Sequence, residues 1–452
     1  MEGEQKSNDQ VNSLLMVNGL DYRLPPTLSV AVSRSHASYA GNQQAYPAGG
    51  TMNVTLSSGA QYVNFRESYL HFTVEMQGLT AGNEYAFGSH LIETNVAANA
   101  AKDFLPGRNG VMNCFNSFRW VHSSGTLLEE FNQDMALWNY VRDRYTLSSD
   151  KTRSHGSLMD YQMRNAEAKV FREGETSFKF IVPMSSIADC FNQQQLAPSF
   201  LVAGSRIEIR LNSLLQAFVK IAPAEPVGEA PADPNAGVSY KITNVSCVLQ
   251  QIQLTDSIVR ALSNISASSG LEYPFTSIAV NHSNSANSSG SIQVSRALSR
   301  ANAVIVIRRE TESIDTRNRA AYRQTFCPGN LSIDEYSAQL GGQTIPLSPI
   351  STQEEAYWHA MVCFGSAYDS SACVPVSLQN FKGSASAKVS DAIYCVSLES
   401  SSTLNQSGAA LSSQRVLVFN YKVGTVTPSR YTMFTPHVRL VTCFLDSAIV
   451  RS

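Results

Sequence analysis

The segments YKITNVSCVLQQIQL (240–254) and YTMFTPHVRLVTCFL (431–445) each close one half of the 452-residue chain. Upstream of both segments lies the same series of elements: a strand after a Gly turn, a helix that contains a Trp, an alternating strand, and a short strand that begins near an Arg. A fixed order of elements at a regular separation indicates an internal repeat. We therefore predict that the chain folds the same unit twice.

The separation between matched residues supports this repeat. The pairs are Gly125 and Gly342, Trp138 and Trp358, Phe178 and Ile393, Arg206 and Arg415, and Tyr240 and Tyr431, which lie 217, 220, 215, 209 and 191 residues apart. The last separation is shorter by about the length of a Pro-rich loop at 222–237, which only the first half contains. One duplication followed by one loop insertion explains why the last separation is the shortest.

Strand-like segments recur through both halves. YLHFTVEM (69–76) and RIEIRL (206–211) alternate apolar and polar residues, which is typical of strands with one buried face. ANAVIVIRRE (301–310) is the counterpart of the first segment, and its apolar run predicts a more buried strand. About eight such strands in each half fit a jelly roll, in which two sheets pack face to face. The predicted fold class is all-β, with two tandem eight-stranded antiparallel jelly rolls, each with short inserted helices.

The repeat also suggests how the chain is divided. We predict an N-terminal arm and lead-in at 1–49, a first jelly roll at 50–254, a linker helix and hinge at 255–269, and a second jelly roll at 270–452. Within the arm, apolar residues between Leu14 and Leu20 are compatible with a short amphipathic turn or with a disordered tail.

The helix of the first half is predicted within DMALWNYVRDRY (134–145). Trp138, Val141 and Tyr145 have the spacing of one helical face. Asp134 is a candidate N-cap, because its side chain can accept a hydrogen bond from the first turn.

The helix of the second half is predicted within STQEEAYWHAMVCF (351–364). Ser351 and Glu354 have the spacing of a capping box. Its predicted apolar face consists of Tyr357, Met361 and Phe364.

Composition and charge indicate which partners and which compartment the protein is suited to. Charged residues make up only 15% of the chain, against about 25% in an average soluble domain. A surface with few charged side chains favours contact with other proteins. The net charge is −2 and the first residues contain no basic block, so no direct sequence-specific binding of nucleic acid is expected. The eight cysteines are scattered without a C-x-x-C pair, which favours a reducing compartment.

No membrane or secretory segment is predicted. The N-terminus has no charged region followed by a long apolar run, so we expect no signal peptide. No stretch approaches the roughly 18 apolar residues of a transmembrane helix.

The sequence contains no recognisable catalytic or metal-binding pattern, so we predict no catalytic, cofactor-binding or metal-binding residues and no cofactor. No two histidines have H-x-H or H-x-x-x-H spacing, and no phosphate-binding or nucleophile motif is present. Glu129-Glu130 is interpreted as solvated charge at a strand end. Arg308-Arg309-Glu310 is interpreted as a charged, solvated strand edge, and His359 as a packed or surface residue. We therefore predict that the protein is not an enzyme.

Three segments resemble the double jelly-roll major capsid proteins, a lineage that includes adenovirus hexon, virophages and Polinton-like viruses. NGVMNCFNSFRWVHSSGTLLEEF (109–131) is similar to the family's loop, core strand and turn. The helix with Trp138, Tyr140 and Tyr145 resembles the aromatic helix that follows in the family. The segment 178–211 is similar to the strand, short helix and strand that complete the first roll. The resemblance extends from about residue 50 to residue 452.

The resemblance implies a major capsid protein in a virion. Its copies would form homotrimers, which make pseudo-hexameric capsomers and tile an icosahedral shell. The implied partners are neighbouring capsomers, penton proteins and minor or cement capsid proteins, with or without an internal membrane beneath the shell. Assembly in the host cell would take place in the cytoplasm or the nucleus.

Three other functions stay open from the residues alone. A two-sandwich binding module, such as a viral spike or a lectin, has the same strand pattern but would need an aromatic groove or a cluster of Asp residues. An enzyme on a β-sandwich would need two carboxylates in a cleft or clustered histidines. The coat of a single-stranded RNA or small DNA virus would be expected to carry a basic arm.

Overall fold

The structure of the protein is a computed structural model. It describes residues 31–57, 61–81, 84–87, 90–91, 104–105, 109–148, 157–160, 169–221, 237–294, 296–311, 331–365, 376–383, 390–399, 408–412, 415–444 and 447–451. The predicted amphipathic turn near the N-terminus and most of the Pro-rich loop lie outside the described residues.

The first half of the chain contains thirteen of the described strands. They are β1 (Ala31–Ala40), β2 (Ala45–Pro47), β3 (Thr51–Thr55), β4 (Tyr62–Gln77), β5 (Glu84–Phe87), β6 (His90–Leu91), β7 (Phe104–Leu105), β8 (Phe115–Val121), β9 (Leu127–Phe131), β10 (Ser177–Pro183), β11 (Arg206–Leu211), β12 (Phe218–Ile221) and β13 (Ser239–Leu254).

Two sheets of the first half form one jelly roll. The outer sheet has the order β1-β13-β4-β10, with β2 added beside β13, and the second sheet has the order β3-β11-β8-β9. Alternate residues of β4, such as Phe72 and Val74, are fully buried and point into the core between the sheets. The short strands β5 and β12 pair with each other, as do β6 and β7.

Short helices lie between these strands and connect the two halves. They are 3-10 helices at Gly110–Cys114 and Asp189–Phe191 and α-helices α1 (Met135–Thr146), α2 (Met184–Ile187), α3 (Ser199–Val202), α4 (Leu214–Ala217) and α5 (Asp256–Ser268). Helix α5 follows β13 and precedes the second half.

The second half contains eleven of the described strands and two described helices. The strands are β14 (Leu271–Ser285), β15 (Ser289–Gln293), β16 (Leu298–Ala301), β17 (Ala303–Glu310), β18 (Glu335–Leu340), β19 (Gln343–Ile350), β20 (Tyr394–Ser397), β21 (Ala409–Leu411), β22 (Leu417–Lys422), β23 (Ser429–Cys443) and β24 (Ala448–Arg451), and the helices are α6 (Gln353–Cys363) and α7 (Leu378–Lys382).

The sheets of the second half repeat the order of the first. In one sheet β14 pairs with β23, β23 with β17, and β17 with β20, and β16, β21 and β24 are attached to this sheet. The other sheet has the order β15-β22-β18-β19. Eight strands of the two main sheets therefore occupy the same places in both halves, which confirms the predicted fold class of two tandem antiparallel jelly rolls. In chain order, β1, β3, β4, β8, β9, β10, β11 and β13 match β14, β15, β17, β18, β19, β20, β22 and β23.

All five predicted pairings join equivalent elements, but two of them are one residue out of register. Phe178 and Phe180 point into the first core, whereas Tyr394 and Val396 point into the second. Residues of β10 and β20 that point into their cores are therefore separated by an even number of positions. The predicted separation of 215, which pairs Phe178 with Ile393, is odd and so is one residue out of register. The same error affects β11 and β22, because a shift of one residue moves a side chain to the opposite face of the sheet.

Some boundaries also differ from the expected ones. Strands β1 and β2 lie within the segment predicted as an arm and join the outer sheet of the first roll. Helix α5 continues to Ser268, so the predicted Ser/Gly hinge is largely helical. The division of the chain into domains otherwise stays a prediction.

The cap of α6 lies one residue later than predicted. Thr352 is the N-cap, and its Oγ1 accepts a hydrogen bond from the backbone N–H of Glu355 at 3.2 Å. The buried residues of α6 are Ala356 and Ala360, while Tyr357 is half-buried. The predicted apolar face of α6 is therefore confirmed in part: Tyr357 and Phe364 pack against the core as half-buried side chains, but the buried residues of the helix itself are two alanines.

The described cysteines are free thiols, and five of these six are buried. Burial raises the pKa of Cys247 to about 12, which keeps this thiol protonated and unreactive. No helix in the described ranges combines the length and the apolar content that a bilayer-spanning segment requires.

Candidate functional site: the junction between the two rolls

The described residues contain no group of three or more His, Cys, Asp or Glu side chains that could hold a metal ion. Two of the charged residues that the sequence placed on solvated edges, Glu129 and Arg309, lie instead between the two rolls. We call this contact surface the junction. It is formed by β9 and α1 of the first roll and by β14, β17, β23, Phe364 and Asp391 of the second.

Helix α1 lies at the centre of the junction. Every residue of α1 except Thr146 is buried, including the charged residues Arg142, Asp143 and Arg144. A buried charge is costly unless it is paired and hydrogen-bonded. The polar residues of α1 therefore require partners at fixed places, and several of these partners belong to the second roll.

Asp391 of the second roll holds the middle of α1. Its carboxylate accepts hydrogen bonds from the hydroxyl of Tyr140 and from the guanidinium of Arg144, and its backbone carbonyl accepts one from the hydroxyl of Tyr145 at 2.8 Å. Burial, together with the nearby charge of Asp391, raises the pKa of Tyr145 well above its ordinary value. One residue of the second roll thus fixes three side chains of α1.

Asp134 forms an ion pair across the junction at the start of α1. It occupies the N-cap position with φ +58°, but its side chain makes no capping hydrogen bond. Its carboxylate lies 2.7 Å from Nη2 of Arg309, which also donates to Thr432 Oγ1 at 2.9 Å. Burial is the largest single effect and opposes ionisation of Asp134, but the basic groups of Arg309, His282 and Arg430 together outweigh it and lower the pKa of Asp134.

This ion pair corrects two predictions. Asp134 lies at the predicted N-cap position, but its carboxylate binds across the junction instead of capping the helix. Arg308 and Arg309 are not a solvated edge, because both are almost completely buried. Arg308 binds the backbone carbonyls of Ser332 and Thr425 within the second roll.

His282 adds a second basic group beside Asp134. Its Nδ1 lies 3.8 Å from the Asp134 carboxylate. Burial lowers the pKa of His282 to about 4, although the charge of Asp134 opposes this shift. His282 is therefore neutral at neutral pH, and Arg309 carries the charge that balances Asp134.

Glu129 on β9 is a further buried carboxylate. It accepts a hydrogen bond from Ser277 at 2.8 Å and lies 3.3 Å from Nη1 of Arg439, both in the second roll. Burial raises the pKa of Glu129 to about 7, and the charge of Arg439 only partly offsets this effect. The interpretation of Glu129 as solvated charge was wrong, whereas its neighbour Glu130 pairs with the exposed Arg119.

Aromatic rings fill the apolar part of the junction. The ring of Trp138 lies 5.3 Å from that of Phe434 and 6.2 Å from that of Phe364, and Tyr145 stacks on Phe364 at 5.3 Å. Phe131 of β9 also contacts Phe434 at 6.3 Å. Such contacts bury large areas and orient the rings, so the junction combines aromatic packing with buried ion pairs.

Comparison with known proteins was made on both sequence and structure. The sequence matches no protein-family description and no curated protein. The structure, however, is similar to the Faustovirus major capsid protein, with a TM-score of 0.64 over 97% of this chain and 98% of that chain at 8% identity. It is also similar to the Sputnik virophage structure, with a TM-score of 0.60 over 95% of this chain and 90% of that chain at 11% identity.

A third similar structure is the PBCV-1 virus capsid, with a TM-score of 0.59 over 95% of this chain and 99% of that chain at 10% identity. These capsid proteins have the double jelly-roll fold. This chain is a double jelly roll. The similarity covers nearly the whole chain, so it includes both rolls and the way they are arranged.

The double jelly roll brings together residues that the sequence did not connect. Trp138 was singled out for its helical face, and Arg309 for its charge, but nothing in the pattern placed them at one surface. Asp391 was missed completely, since it lies outside the strands and helices, shortly before β20. A usable signal was present at Arg309: two arginines that directly follow the apolar run at 304–307 in one strand are poorly placed for solvent.

Proposed function

We propose that the protein is a major capsid protein whose copies assemble into homotrimers, the pseudo-hexameric capsomers of an icosahedral shell. The observation that carries this proposal is the form of the junction. The two rolls have the same strand order, yet they meet through different surfaces: α1 and β9 of one roll against the outer sheet of the other.

A contact between two different surfaces of similar units can be repeated from unit to unit. Such a head-to-tail series closes into a ring or extends into a filament. Six rolls in a ring correspond to three chains, so a chain with two rolls reaches near-sixfold symmetry by threefold rotation. This reasoning supports a closed trimer.

The fold supports the same role. Proteins with this fold and nearly the same extent include capsid proteins of Faustovirus, Sputnik and PBCV-1. We extend their structural role to this chain as part of the proposal, with a location in the virion and no enzymatic activity. Other copies of the chain would be its main partners, together with penton and minor capsid proteins.

Assembly of the purified full chain tests the proposal. Light scattering coupled to size-exclusion chromatography should give about three times the 49.3 kDa mass of one chain, and electron microscopy should show particles of roughly hexagonal outline. A single chain at every concentration and ionic strength tested would contradict the proposal. A specific, competable signal on a glycan array from a protein that stays monomeric would favour a binding module instead.

A further inference from the structure

We infer that β19 of one copy docks on the outer face of sheet β1-β13-β4-β10 of a second copy. This inference rests on the proposed function and goes beyond it, because it names the two surfaces that meet between copies. It follows from comparing equivalent places in the two rolls, one of which is covered within the chain while the other is not.

The outer faces of the two rolls can be compared residue by residue. Tyr240 of β13 and Tyr431 of β23 are equivalent, and both point into the core of their own roll. Side chains alternate along a strand, so three residues further on Thr243 and Phe434 lie on the two outer faces. They occupy the same place in the two rolls.

The two outer faces differ in what covers them. In the second roll, Phe434, Thr432 and Arg309 are completely buried, because α1 and β9 of the first roll pack over them. In the first roll, the same region includes Lys241 and Glu75, which form a half-exposed ion pair at 3.0 Å. Thr243 is itself buried beneath Glu75, to whose carboxylate it donates at 2.6 Å, so the exposed part of this face in the first roll is the Lys241–Glu75 pair.

The covering surface also has an equivalent. Strands β9 and β19 are the corresponding edge strands of the sheets β3-β11-β8-β9 and β15-β22-β18-β19. In β9, Leu128, Glu129 and Phe131 are buried against the second roll or the core. In β19, only Ile350 is buried, and Leu347 has 90% of its surface exposed.

An isolated exposed leucine needs no explanation, but this one lies in an apolar strand at the place where its counterpart forms an interface. Ile345, Pro346 and Leu347 are consecutive, and Ile345 is only half-buried. Because the covered place in the second roll matches the uncovered place in the first, the occupant of this edge is another copy of the same chain.

The equivalence predicts one particular contact. Phe131 and Ile345 take the same place in the two hairpins, since Phe131 pairs with Phe118 and Ile345 pairs with Ala338. Phe131 contacts Phe434, which is equivalent to Thr243. Ile345 should therefore lie against Glu75 of the second copy, whose side chain covers Thr243.

A charge on β19 tests the surface. Leu347→Asp should convert the assembled protein to single chains at a concentration at which the unmodified protein is assembled, with no change in the melting temperature of the single chain. The matched control is Val426→Asp, because Val426 is also an exposed apolar residue, 53% exposed, but lies outside β19. The control should assemble like the unmodified protein. Full assembly of Leu347→Asp would overturn the inference.

A cysteine pair tests the predicted contact itself. The double variant Ile345→Cys, Glu75→Cys should form covalently linked chains on oxidation, seen on a non-reducing gel, while each single variant stays at the level of the unmodified protein. If the double variant assembles without additional linkage, the inference fails and the proposed function stands. If the unmodified protein never assembles, both fail.

Discussion

Two adjacent glutamates show how much a single residue depends on the completed fold. Glu129 and Glu130 are next to each other on β9, but Glu129 is buried at the junction and Glu130 pairs with an exposed arginine. The sequence correctly predicted a strand here and the alternation of its faces. It could not predict that the face carrying Glu129 is covered, because the residues that cover it lie about 150 and 310 positions further along the chain.

Glu129 should make the stability of the protein depend on pH. Its pKa is raised to about 7 in the folded protein, so the folded state holds a proton that the unfolded chain releases near pH 4.5. The stabilising contribution is complete below pH 4.5 and is lost as the pH rises through 7. Between pH 5 and pH 8, ionisation of Glu129 should lower the free energy of unfolding by up to about 3 kcal/mol. The variant Glu129→Gln should lack this decrease.

Chemical denaturation at the two pH values measures this effect. Glu130→Gln is the control, because it breaks an exposed ion pair and should change the free energy of unfolding by at most about 1 kcal/mol. Equal pH dependence in Glu129→Gln and in the unmodified protein would show that the Glu129 carboxyl stays ionised when buried.

At the scale of elements, the positions of strands and helices were far easier to predict than their surroundings. Periodicity located β4, β11 and α1, because it reflects the local geometry of the chain. It predicted one apolar face for α1, which in fact is buried on nearly all sides, since the second roll covers the rest. The register of two repeated strands was wrong by one residue for a related reason. Matching residue types between the halves does not consider on which face of the sheet each side chain lies.

The end of α5 offers a test of how tightly one element is joined to the next. Gly270 has φ +79°, and its backbone N–H donates to the carbonyl of Ile265 as in a helix C-terminal motif. A Cβ at this position would lie 2.5 Å from Cγ2 of Thr442. Gly270→Ala should therefore destabilise the protein by about 2 kcal/mol or more, through backbone strain and this clash.

Gly125→Ala is the matched control for that variant. Gly125 also has a positive φ, +86°, but a Cβ there would meet nothing within 4 Å. Its cost should be limited to the backbone, about 1 kcal/mol. Thermal unfolding of both variants distinguishes the two contributions, and equal losses would argue against close packing at the end of α5.

At the scale of the whole molecule, the two rolls should unfold together. The buried residues of both rolls form one continuous hydrophobic cluster, and the ion pairs of the junction leave buried charges unpaired if the rolls separate. Calorimetry of the unmodified chain should give a single transition with equal calorimetric and van't Hoff enthalpies.

Phe434→Ala should break this cooperativity. The ring lies between Phe131 and Trp138, so its removal leaves a cavity within the junction and costs about 3–5 kcal/mol. We expect two resolved transitions in this variant. Phe72→Ala, in the core of the first roll, should cost a similar amount but keep a single transition. One transition in both variants would mean that the ion pairs alone suffice to couple the rolls.

The covered outer face of the second roll also bears on the ancestry of the chain. A single-roll ancestor would have bound its neighbour reversibly as a separate chain, so its outer face would have been exposed to solvent in the unbound state. Once a neighbour was covalently attached, that face could accumulate Phe434 and a fully buried Arg309, which a free-standing roll would expose to solvent. We therefore expect the second half not to fold stably when it is expressed alone, since both residues would then be exposed to solvent.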